Sequence, residues 1–300
     1  MSDVQILVSP FQNPFINLAL EDFFLREQRG DLPLILFYVN RPCIVLGRFQ
    51  NPWLEGQLSY LTKNDLWLVR RQSGGGTVFH DLGNLNYCMI TERPMVDKSL
   101  AVSILQKALK TLEIEAIISE RFDLFCLDPS DGVKKKISGS AYKQTKDASF
   151  HHGTLLIHSD LVKLQKSLEA SAEISESKSI PSVRSKVMTL NQLNSGITQE
   201  QVIRAVGMTL GVEPKNIPEQ FFYSSDIIQE RMLQWSSEEW LLRETPLFEI
   251  DLQGEMTKVY KGKVGEKNFS RENFDYLSNE LKERLFPDFS EQYKYCSLLF

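Results

Sequence analysis

Three consecutive glycines occupy residues 74–76, inside the stretch RRQSGGGTVFHDLGN of residues 70–84. Glycine permits positive φ and a close approach to the backbone, so the exposed N–H groups of such a loop can face a phosphate or a carboxylate. Arg70 and Arg71 add cationic donors beside the loop. The competing interpretation is a glycine-rich turn on a solvated hairpin. No GK[ST] follows and no GxGxxG opens a helix, which excludes a Walker P-loop and a dinucleotide fingerprint.

A lysine is the second candidate for chemistry. Lys136 lies in KKKISGSAY, residues 134–142, and directly precedes a β-like run that contains two serines and a glycine. A lysine at the start of a strand beside small residues can extend over a ligand phosphate as a compact charge. Exposed lysine is common, however, so a solvated charge run is the alternative interpretation of these residues.

The remaining candidates are histidines and carboxylates. His151 and His152 are adjacent in FHHGTLL, and neighbouring side chains of a strand point to opposite faces, so a two-histidine metal site is geometrically poor. Asp123 is a candidate ligand for the magnesium that accompanies a nucleotide, although single strand carboxylates usually cap or pair locally. His80 and Asp81 are adjacent without a GxSxG motif, which disfavours a hydrolase dyad.

The elements that must position these residues alternate between helices and strands. Residues 99–112 carry the clearest apolar stripe of a helix, and NLALEDFFLREQ near the start predicts another. The β-rich runs LILFYV and CIVLG are expected to form a hairpin. The serine-rich residues 171–179 have the composition of a mobile loop. Further strands are predicted at residues 121–127, 136–142 and 153–158.

The second half of the chain continues this mixture. Thr198 and Gln201 form a capping-box pattern that predicts a helix after them. LFEIDL and MTKVYKG predict a hairpin, and Ser270 is expected to cap a final helix. Because the order of elements restarts near residue 246, we expect a main domain over residues 1–246 and a short accessory domain over residues 247–300.

Composition limits the classes of function. The chain has 300 residues, 42% hydrophobic content and a formal net charge of −5 without a basic block, so general nucleic-acid binding has no electrostatic support. Charged residues interrupt every apolar run before the ~18 residues of a membrane-spanning helix, and the N-terminus lacks the pattern of a signal peptide. We therefore expect neither nucleic acid nor a membrane among the partners.

Four cysteines indicate the compartment. Cys43, Cys88, Cys126 and Cys296 are far apart and form no CxxC, which suits neither a zinc site nor a disulfide framework. Reduced thiols are expected. This places the chain in the cytoplasm, or in an organellar matrix if it is a processed form.

Together these segments resemble the lipoate–protein ligase family, which shares its catalytic domain with biotin ligases and octanoyl transferases. The resemblance covers residues 1–245 in the family's order. It implies an α+β fold, with a mixed β-sheet catalytic domain of the biotin/lipoyl ligase type and a small C-terminal α+β appendage. The segments that carry it are NLALEDFFLRE, GRFQNPW, RRQSGGGTVFHDLGN, RFDL, KISGSAYKQTKDASFHHGTLL and SIPSVRSKVMTL.

The resemblance also implies roles for individual residues. Lys136 is implied as the catalytic residue, placed against the phosphate and the acyl carbonyl, where it would stabilise developing charge. No dedicated metal site is implied. The residues implied to bind the nucleotide and acyl-adenylate are Arg71, Gly76, Thr77, Val78, Phe79 and Lys136. A weaker set, implied for the lipoyl pocket and its surroundings, is Ser73, Gly75, His80, Asp123 and His152.

The implied reaction attaches lipoate, or octanoate, to a lysine of an acceptor protein. ATP with Mg²⁺ would first activate the acid as its acyl-adenylate, and the acceptor lysine would then form the amide. The implied acceptors are the lipoyl domains of 2-oxoacid dehydrogenase E2 subunits and the glycine cleavage H protein.

Three alternatives stay open at this point. The segment after Pro246 is shorter than the accessory domain of the family's bacterial ligases, so a transferase that uses a preformed acyl-adenylate or an acylated protein is one alternative. A second is acyl transfer through a thioester on Cys126, although its alternating, strand-like surroundings favour buried packing. A third is a non-catalytic effector-binding module, against which the joint presence of Lys136 and Arg71 argues.

Overall fold

The structure is a computed structural model that describes residues 4–27, 33–92, 99–274 and 276–297. Its helices are α1 Pro14–Arg26, α2 Pro52–Glu55, α3 Leu58–Lys63, α4 Leu100–Thr111, α5 Leu161–Ser167, α6 Gln199–Leu210, α7 Glu219–Tyr223, α8 Asp226–Ser236, α9 Asn279–Leu285 and α10 Ser290–Ser297. A 3₁₀ turn covers Leu190–Gln192 and a π-helical turn covers Glu239–Arg243.

The strands of the described residues range in length from two residues to nine. They are β1 Gln5–Val8, β2 Leu34–Tyr38, β3 Cys43–Leu46, β4 Trp67–Arg70, β5 Val78–His80, β6 Asn84–Glu92, β7 Ile117–Ile118, β8 Leu124–Leu127, β9 Lys134–Ser138, β10 Ser140–Gln144, β11 Ala148–Leu156, β12 Ile174–Ser177, β13 Lys215–Asn216, β14 Phe248–Asp251, β15 Met256–Val259, β16 Lys263–Val264 and β17 Lys267–Asn268.

The chain forms two compact units that are interleaved along the sequence. The prediction of a boundary after residue 246 follows sequence order, whereas residues 247–300 share a unit with earlier segments. Their assignment to a separate accessory domain stays a prediction. The first unit contains residues 1–41, 80–161 and 184–229, and the second contains residues 42–79, 162–183 and 230–300.

A six-stranded mixed sheet forms the centre of the first unit, in the order β10-β11-β6-β2-β1-β13. β1 pairs in parallel with β2 and β13, and the remaining pairs of this sheet are antiparallel. The mixed α+β class predicted from the sequence is therefore confirmed. The expected hairpin between LILFYV and CIVLG is wrong, because β2 pairs with β1 and β6 while β3 pairs in parallel with β4.

Helices α4 and α6 pack against each other in the first unit, and their apolar stripes are part of its hydrophobic core. In α4, Ile104, Leu105, Ala108 and Leu109 are buried, which confirms the stripe predicted for this helix. The capping box predicted at Thr198 is present at the start of α6. A second, three-stranded sheet of this unit, β7-β8-β9, carries the lysine-rich segment.

The second unit contains three small sheets and an aromatic core. Their strand orders are β4-β3-β5, β12-β14-β15 and β16-β17. Trp53 lies in the core beside Phe248 and Phe269, and its indole N–H donates to the carbonyl of Leu285 at 2.7 Å. The predicted hairpin of LFEIDL and MTKVYKG is present as β14 and β15.

Two expectations for the second unit are wrong. The serine-rich stretch predicted as a mobile loop contains β12, which pairs with β14 and so uses its backbone polar groups in a sheet. The predicted final helix does not begin at Ser270. Ser278 caps α9 instead, while Phe269 and Phe274 before it are buried in the aromatic core. Within the described ranges, no helix has the length and apolar character needed to cross a membrane.

Candidate active site

The side chain of Lys136 contacts a carboxylate of the first unit. Its Nζ lies 2.8 Å from Oδ2 of Asp123, and the two side chains are 21% and 15% exposed. A pair this shielded interacts more strongly than a surface ion pair, because less water screens the charges. Asp123 therefore holds the ammonium of Lys136 in a fixed position, and part of the lysine side chain stays exposed to solvent.

Backbone contacts hold both members of this pair. The second carboxylate oxygen of Asp123 accepts the N–H of Ser140 at 3.1 Å, and the hydroxyl of Ser140 donates to the carbonyl of Phe122. Phe122 has φ of +61°, a left-handed conformation that is strained for a bulky residue. Gly139 lies under the lysine, since a Cβ there would be 3.1 Å from Lys136 Cε. The small residues of ISGSAY therefore make room for the lysine side chain.

The backbone of Lys136 also joins a later segment of the same unit. Its N–H donates to the carbonyl of Lys186 at 2.8 Å, and its carbonyl accepts the N–H of Met188 at 3.0 Å. These bonds form a parallel bridge between Lys136 and Val187. The motif SIPSVRSKVMTL therefore helps to position the lysine from its C-terminal half.

Arg71 donates hydrogen bonds to several residues of the glycine loop in the second unit. Its guanidinium is buried and donates to the carbonyls of Gly74 at 2.7 Å, Gly76 at 2.8 Å and Val45 at 2.9 Å, and to the Ser73 hydroxyl at 2.9 Å. Arg71 thereby fixes the positions of the loop carbonyls of Gly74 and Gly76. A role of Arg71 in holding the nucleotide directly stays a prediction.

The glycines form an arrangement suited to an anion. Gly75 is exposed and has φ of +84°, which a residue with a side chain rarely adopts. No hydrogen-bond partner lies within the described residues for the N–H groups of Gly74, Gly75 and Gly76. Successive N–H groups around a left-handed residue make the concave donor site known as a nest. The loop can therefore bind a phosphate or carboxylate oxygen.

Ser182 closes one end of the glycine loop. Its hydroxyl oxygen accepts the N–H of Thr77 at 2.8 Å and the amide of Gln50 at 3.0 Å, while its own hydrogen goes to Glu55. The backbone N–H of Ser182 also donates to Glu55 at 3.0 Å. The Thr77 hydroxyl donates to the Gln50 carbonyl oxygen at 2.8 Å. Thr77 is thus fixed on both its backbone and its side chain.

Arg70, the other arginine beside the glycines, has a structural role. It is fully buried and donates to the carbonyls of Leu241 and Gln50 at 2.8 Å and to the Thr245 hydroxyl at 3.0 Å. Burial lowers its pKa to about 9. The expectation that Arg70 adds a cationic donor at the loop is wrong, because backbone acceptors of its own unit occupy it.

Val78 and Phe79, also predicted to bind the nucleotide, begin β5. Phe79 is buried in the hydrophobic core of the second unit. If Phe79 binds the nucleotide, as the resemblance implies, it does so through its backbone, because its side chain is buried.

His80 and Asp81 make hydrogen bonds to different residues. Nδ1 of His80 accepts from the Asn40 amide at 2.9 Å, and Asn40 is held in turn by Asn17. The carboxylate of Asp81 accepts hydrogen bonds from the backbone N–H of Gly83 at 2.9 Å and of Asp160 at 2.8 Å. Asp81 therefore closes a turn.

His152 lies in a buried network on the side of the sheet that faces α1. Its Nδ1–H donates to the Glu21 carboxylate at 2.8 Å, and the Tyr38 hydroxyl donates to the same carboxylate at 2.9 Å. Glu21, Cys88 and His152 place one potential metal-ligand atom each within 4.8 Å of one another. The carboxylate already accepts these hydrogen bonds, which account for the cluster without a metal.

His151 points to the opposite face, as the alternation of a strand requires. Its ring stacks on Tyr142 at 4.1 Å, and within the described chain neither ring nitrogen has a hydrogen-bond partner. Burial lowers its pKa to about 3, with a further contribution from His152. His151 is thus a neutral ring near pH 7, and the predicted divergence of the two histidines is confirmed.

The structure argues against the alternative in which Cys126 forms a thioester. Cys126 is buried in β8, and burial raises its pKa to about 11. Since the thiolate is the nucleophilic form, a thiol with this pKa is protonated at neutral pH.

Three residues of the site escaped the sequence analysis: Gln50, Glu55 and Ser182. They are polar residues in or near GRFQNPW and SIPSVRSKVMTL, and neither segment indicates chemistry by its spacing alone. Gly47 is a fourth, because a Cβ there would lie 2.1 Å from the carbonyl oxygen of Gly75. A signal for Gly47 was available, since it directly follows an apolar strand and opens one of these motifs.

Similar proteins agree with this architecture. P. falciparum LipL1, in a complex with lipoate, shares 24% identity and a TM-score of 0.70, and the match covers 86% of this chain and 80% of LipL1. A bi-partite lipoate protein ligase studied with its E2 lipoyl domain, from Thermoplasma acidophilum, shares 25% identity and a TM-score of 0.64, over 79% and 95% of the two chains. A lipoate-protein ligase A bound with ATP shares 26% identity and a TM-score of 0.63, over 80% and 98%.

The sequence itself matches a family model. The model of the lipoyl protein ligase A/B catalytic domain matches residues 13–211. This range includes the glycine loop, Asp123, Lys136 and Ser182. The resemblance stated from the motifs is confirmed, and the chain belongs to the lipoyl protein ligase A/B catalytic domain family.

Proposed function

We propose that this chain is a lipoate–protein ligase that activates lipoate, or octanoate, with ATP and transfers the acyl group to a lysine of an acceptor protein. The observation that carries the proposal is the Lys136–Asp123 pair, with 2.8 Å between Nζ and Oδ2, inside the range matched by the family. A partly exposed ammonium held in place by a carboxylate suits a site where negative charge develops on a substrate.

The first half-reaction replaces the poor leaving group of a carboxylate with a good one. A carboxylate cannot acylate an amine directly, because the group to be expelled is oxide. Attack of a lipoate oxygen on the α-phosphorus of ATP forms the acyl-adenylate and releases pyrophosphate. Negative charge accumulates on the α-phosphate oxygens during this attack, and Lys136 would stabilise it. Magnesium enters with ATP as part of the substrate.

The second half-reaction forms the amide. The neutral amine of the acceptor lysine attacks the acyl carbon, the carbonyl oxygen becomes an oxyanion, and AMP leaves as the amine loses a proton. The same ammonium of Lys136 would stabilise this oxyanion. Asp123 keeps the ammonium oriented between the two steps, and the Ser140 N–H keeps Asp123 oriented.

The glycine loop would bind a second anionic group. The N–H groups of residues 74–76 suit a carboxylate or phosphate oxygen, and Arg71 holds the loop in the required shape. Ser182 fixes the end of the loop at Thr77. We assign this loop to the adenylate and its acyl group, as the resemblance implied.

The acceptors we propose are lipoyl domains of 2-oxoacid dehydrogenase E2 subunits and the glycine cleavage H protein. The Thermoplasma acidophilum ligase that resembles this chain was studied with its E2 lipoyl domain, which supports the first of these. We also propose a reducing, cytosol-like compartment, because the four cysteines are buried and the sequence shows no disulfide framework.

Exchange of labelled pyrophosphate into ATP tests the activation step without any acceptor. The purified protein should catalyse this exchange only when lipoate or octanoate is present, because exchange requires reversible formation of the acyl-adenylate. Lys136→Ala should reduce it strongly. If the parent protein shows no acid-dependent exchange but transfers the acyl group from supplied lipoyl-adenylate, it is a transferase and the ligase proposal is wrong.

A further inference from the structure

Glu55 is a buried carboxylate at the end of α2, in the second unit. It is 8% exposed, although glutamate in so short a helix is normally solvated. Within the described part of the chain, its carboxylate has no lysine, arginine or histidine partner and accepts hydrogen bonds from Ser182 alone. Burial of a charge is unfavourable unless hydrogen bonds compensate it. The contact with Ser182 therefore has to account for the position of Glu55.

The carboxylate sets the direction of a chain of hydrogen bonds. A carboxylate only accepts, so the Ser182 hydroxyl directs its one hydrogen at Glu55. The lone pairs of the same hydroxyl oxygen then accept the backbone N–H of Thr77 at 2.8 Å and the side-chain amide of Gln50 at 3.0 Å. Each bonding position of the Ser182 hydroxyl is thus assigned, and the assignment depends on a carboxylate at residue 55.

Gln50 extends this chain of hydrogen bonds. Its side chain is fully buried, and its carbonyl oxygen accepts the Thr77 hydroxyl at 2.8 Å and the backbone N–H of Gly47 at 2.9 Å. Because its NH₂ group donates to Ser182, the orientation of the Gln50 amide is fixed as well. The chain therefore joins the residue after β3 to the end of the glycine loop.

The close approach of Ser182 to Gly76 connects this chain to ligand binding. A Cβ at Gly76 would lie 3.0 Å from the Ser182 hydroxyl oxygen and 3.3 Å from its Cα, so the last glycine of the loop lies directly against Ser182. Two hydrogen bonds to Glu55, one from the hydroxyl and one from the backbone N–H, keep Ser182 in this place. The shape of the anion-binding loop therefore depends on Glu55 through Ser182.

We propose that Glu55 is a positioning residue for binding of the acyl-adenylate and that it acts through Ser182. The inference rests on the proposed function, which assigns the glycine loop to the adenylate. The carboxylate holds the Ser182 hydroxyl in the orientation that accepts from Thr77, and so holds the loop in the shape that receives an anion. A carboxylate without these donors would repel an anionic ligand of the loop, so the pairing with Ser182 also shields its charge.

Glu55→Gln tests the need for a carboxylate, because it keeps the size of the side chain. Its NH₂ group would meet either the Ser182 hydroxyl, which already accepts two donors, or the Ser182 N–H. We expect the Kd of lipoyl sulfamoyl-adenosine, a nonhydrolysable analogue of lipoyl-adenylate, to rise about tenfold, the scale of one lost charge-assisted hydrogen bond. Calorimetric titration measures this Kd. In pyrophosphate exchange, KM for ATP should rise by a similar factor with little change in kcat.

Glu176→Gln provides the control, since Glu176 is an exposed glutamate of β12 in the same unit. Its Kd for the analogue and its KM for ATP should equal the parent's. Melting temperatures of all variants separate loss of binding from loss of fold.

A double variant tests whether Glu55 acts through Ser182. Ser182→Ala alone should weaken binding of the analogue about tenfold or more, because the Thr77 N–H and the Glu55 carboxylate both lose the hydroxyl. Adding Glu55→Gln should not weaken binding further, and removal of the unshielded charge should restore part of the affinity. Independent effects would instead multiply to about 100-fold.

Each outcome decides the proposal. An unchanged Kd for Glu55→Gln would overturn it, including the case in which only the melting temperature falls, which is the result for a bond that serves the fold alone. Effects that multiply in the double variant would overturn it too. A parent that binds the analogue but catalyses no pyrophosphate exchange would remove the ligase and leave the role of Glu55 testable by the same titrations. A parent that does not bind the analogue would overturn both.

Discussion

Lys136 and Asp123 form an ion pair in which the ammonium nitrogen lies 2.8 Å from one carboxylate oxygen, while the Ser140 N–H donates to the other oxygen. Asp123 thus has both oxygens occupied by groups of its own unit. Its role in this state is to position the lysine. The alternative considered from the sequence, in which Asp123 is a magnesium ligand, would place a second cation beside the ammonium of Lys136, and the like charges would repel each other.

Removing the ammonium should impair the reaction and leave the fold intact. We expect Lys136→Ala to lower acyl transfer by about 10²- to 10³-fold, the scale for removal of one donor that stabilises transition-state charge. Lys134→Ala is the control, since Lys134 is exposed in the same strand. Acylation of the acceptor protein by both variants measures this. Activity of the Lys136 variant equal to the parent's would remove that residue from the mechanism.

Removing only the charge of Asp123 separates positioning from metal binding. Asp123→Asn keeps an oxygen for the Ser140 N–H and weakens the charge-assisted bond to Lys136, so kcat should fall about tenfold with little change in KM for ATP. The magnesium concentration that gives half-maximal rate should not change. A marked shift of that concentration, with Lys136 still functional, would show that Asp123 binds the metal.

The glycines differ in their tolerance of a methyl group. A Cβ at Gly76 would lie 3.0 Å from the Ser182 hydroxyl oxygen and 3.3 Å from its Cα, whereas a Cβ at Gly74 would meet nothing within 4 Å. Overpacking of this kind costs about 1–3 kcal/mol, so Gly76→Ala should raise KM for ATP or lipoate about tenfold. Gly74→Ala should be nearly neutral. Steady-state kinetics of the Gly76→Ala and Gly74→Ala variants measure the difference. Equal KM values for the two variants would show that the contact between Ser182 and the glycine loop is not needed for substrate binding.

The burial of His151 predicts how the free energy of unfolding depends on pH. Its pKa is lowered from 6.5 to about 3 in the folded state, so the unfolded chain takes up the proton first as pH falls. Stability is therefore unaffected above about pH 6.5 and decreases between that pH and about pH 3. At about pH 5.5 the loss is on the order of 1 kcal/mol.

The variant His151→Phe keeps a ring on Tyr142 and removes the titration. Denaturant unfolding at about pH 7.5 and about pH 5.5 should show a smaller loss of unfolding free energy for this variant than for the parent. His158→Asn, at an exposed histidine, should behave like the parent. Identical losses in the parent and His151→Phe would contradict a buried neutral histidine.

Sequence patterns correctly predicted those features that depend only on neighbouring residues. The apolar stripe of α4 and the capping box of α6 are both decided within a few residues, and the structure contains both. The opposite directions of His151 and His152 follow from strand alternation alone. The fold class, by contrast, came from the joint occurrence of motifs rather than from periodicity.

Contacts between distant residues were not predictable from spacing. Ser182 meets Thr77 across 105 positions, and His152 meets Glu21 across 131 positions. The failed hairpin of β2 and β3 has the same cause, because the choice of strand partner depends on the sheet that forms and not on the connecting residues. Ser270 failed as a cap because burial of Phe269 and Phe274 in the aromatic core prevailed over a local capping signal.

The intact mass of an acceptor lipoyl domain, after incubation with this protein, free lipoate, ATP and magnesium, tests the central claim most directly. We predict a mass gain of one lipoyl group on a single lysine, with pyrophosphate and AMP released in equal amounts, and no gain when ATP is omitted. An acceptor that stays unmodified with free lipoate and ATP, but gains the lipoyl group from supplied lipoyl-adenylate, would contradict the account and identify a transferase.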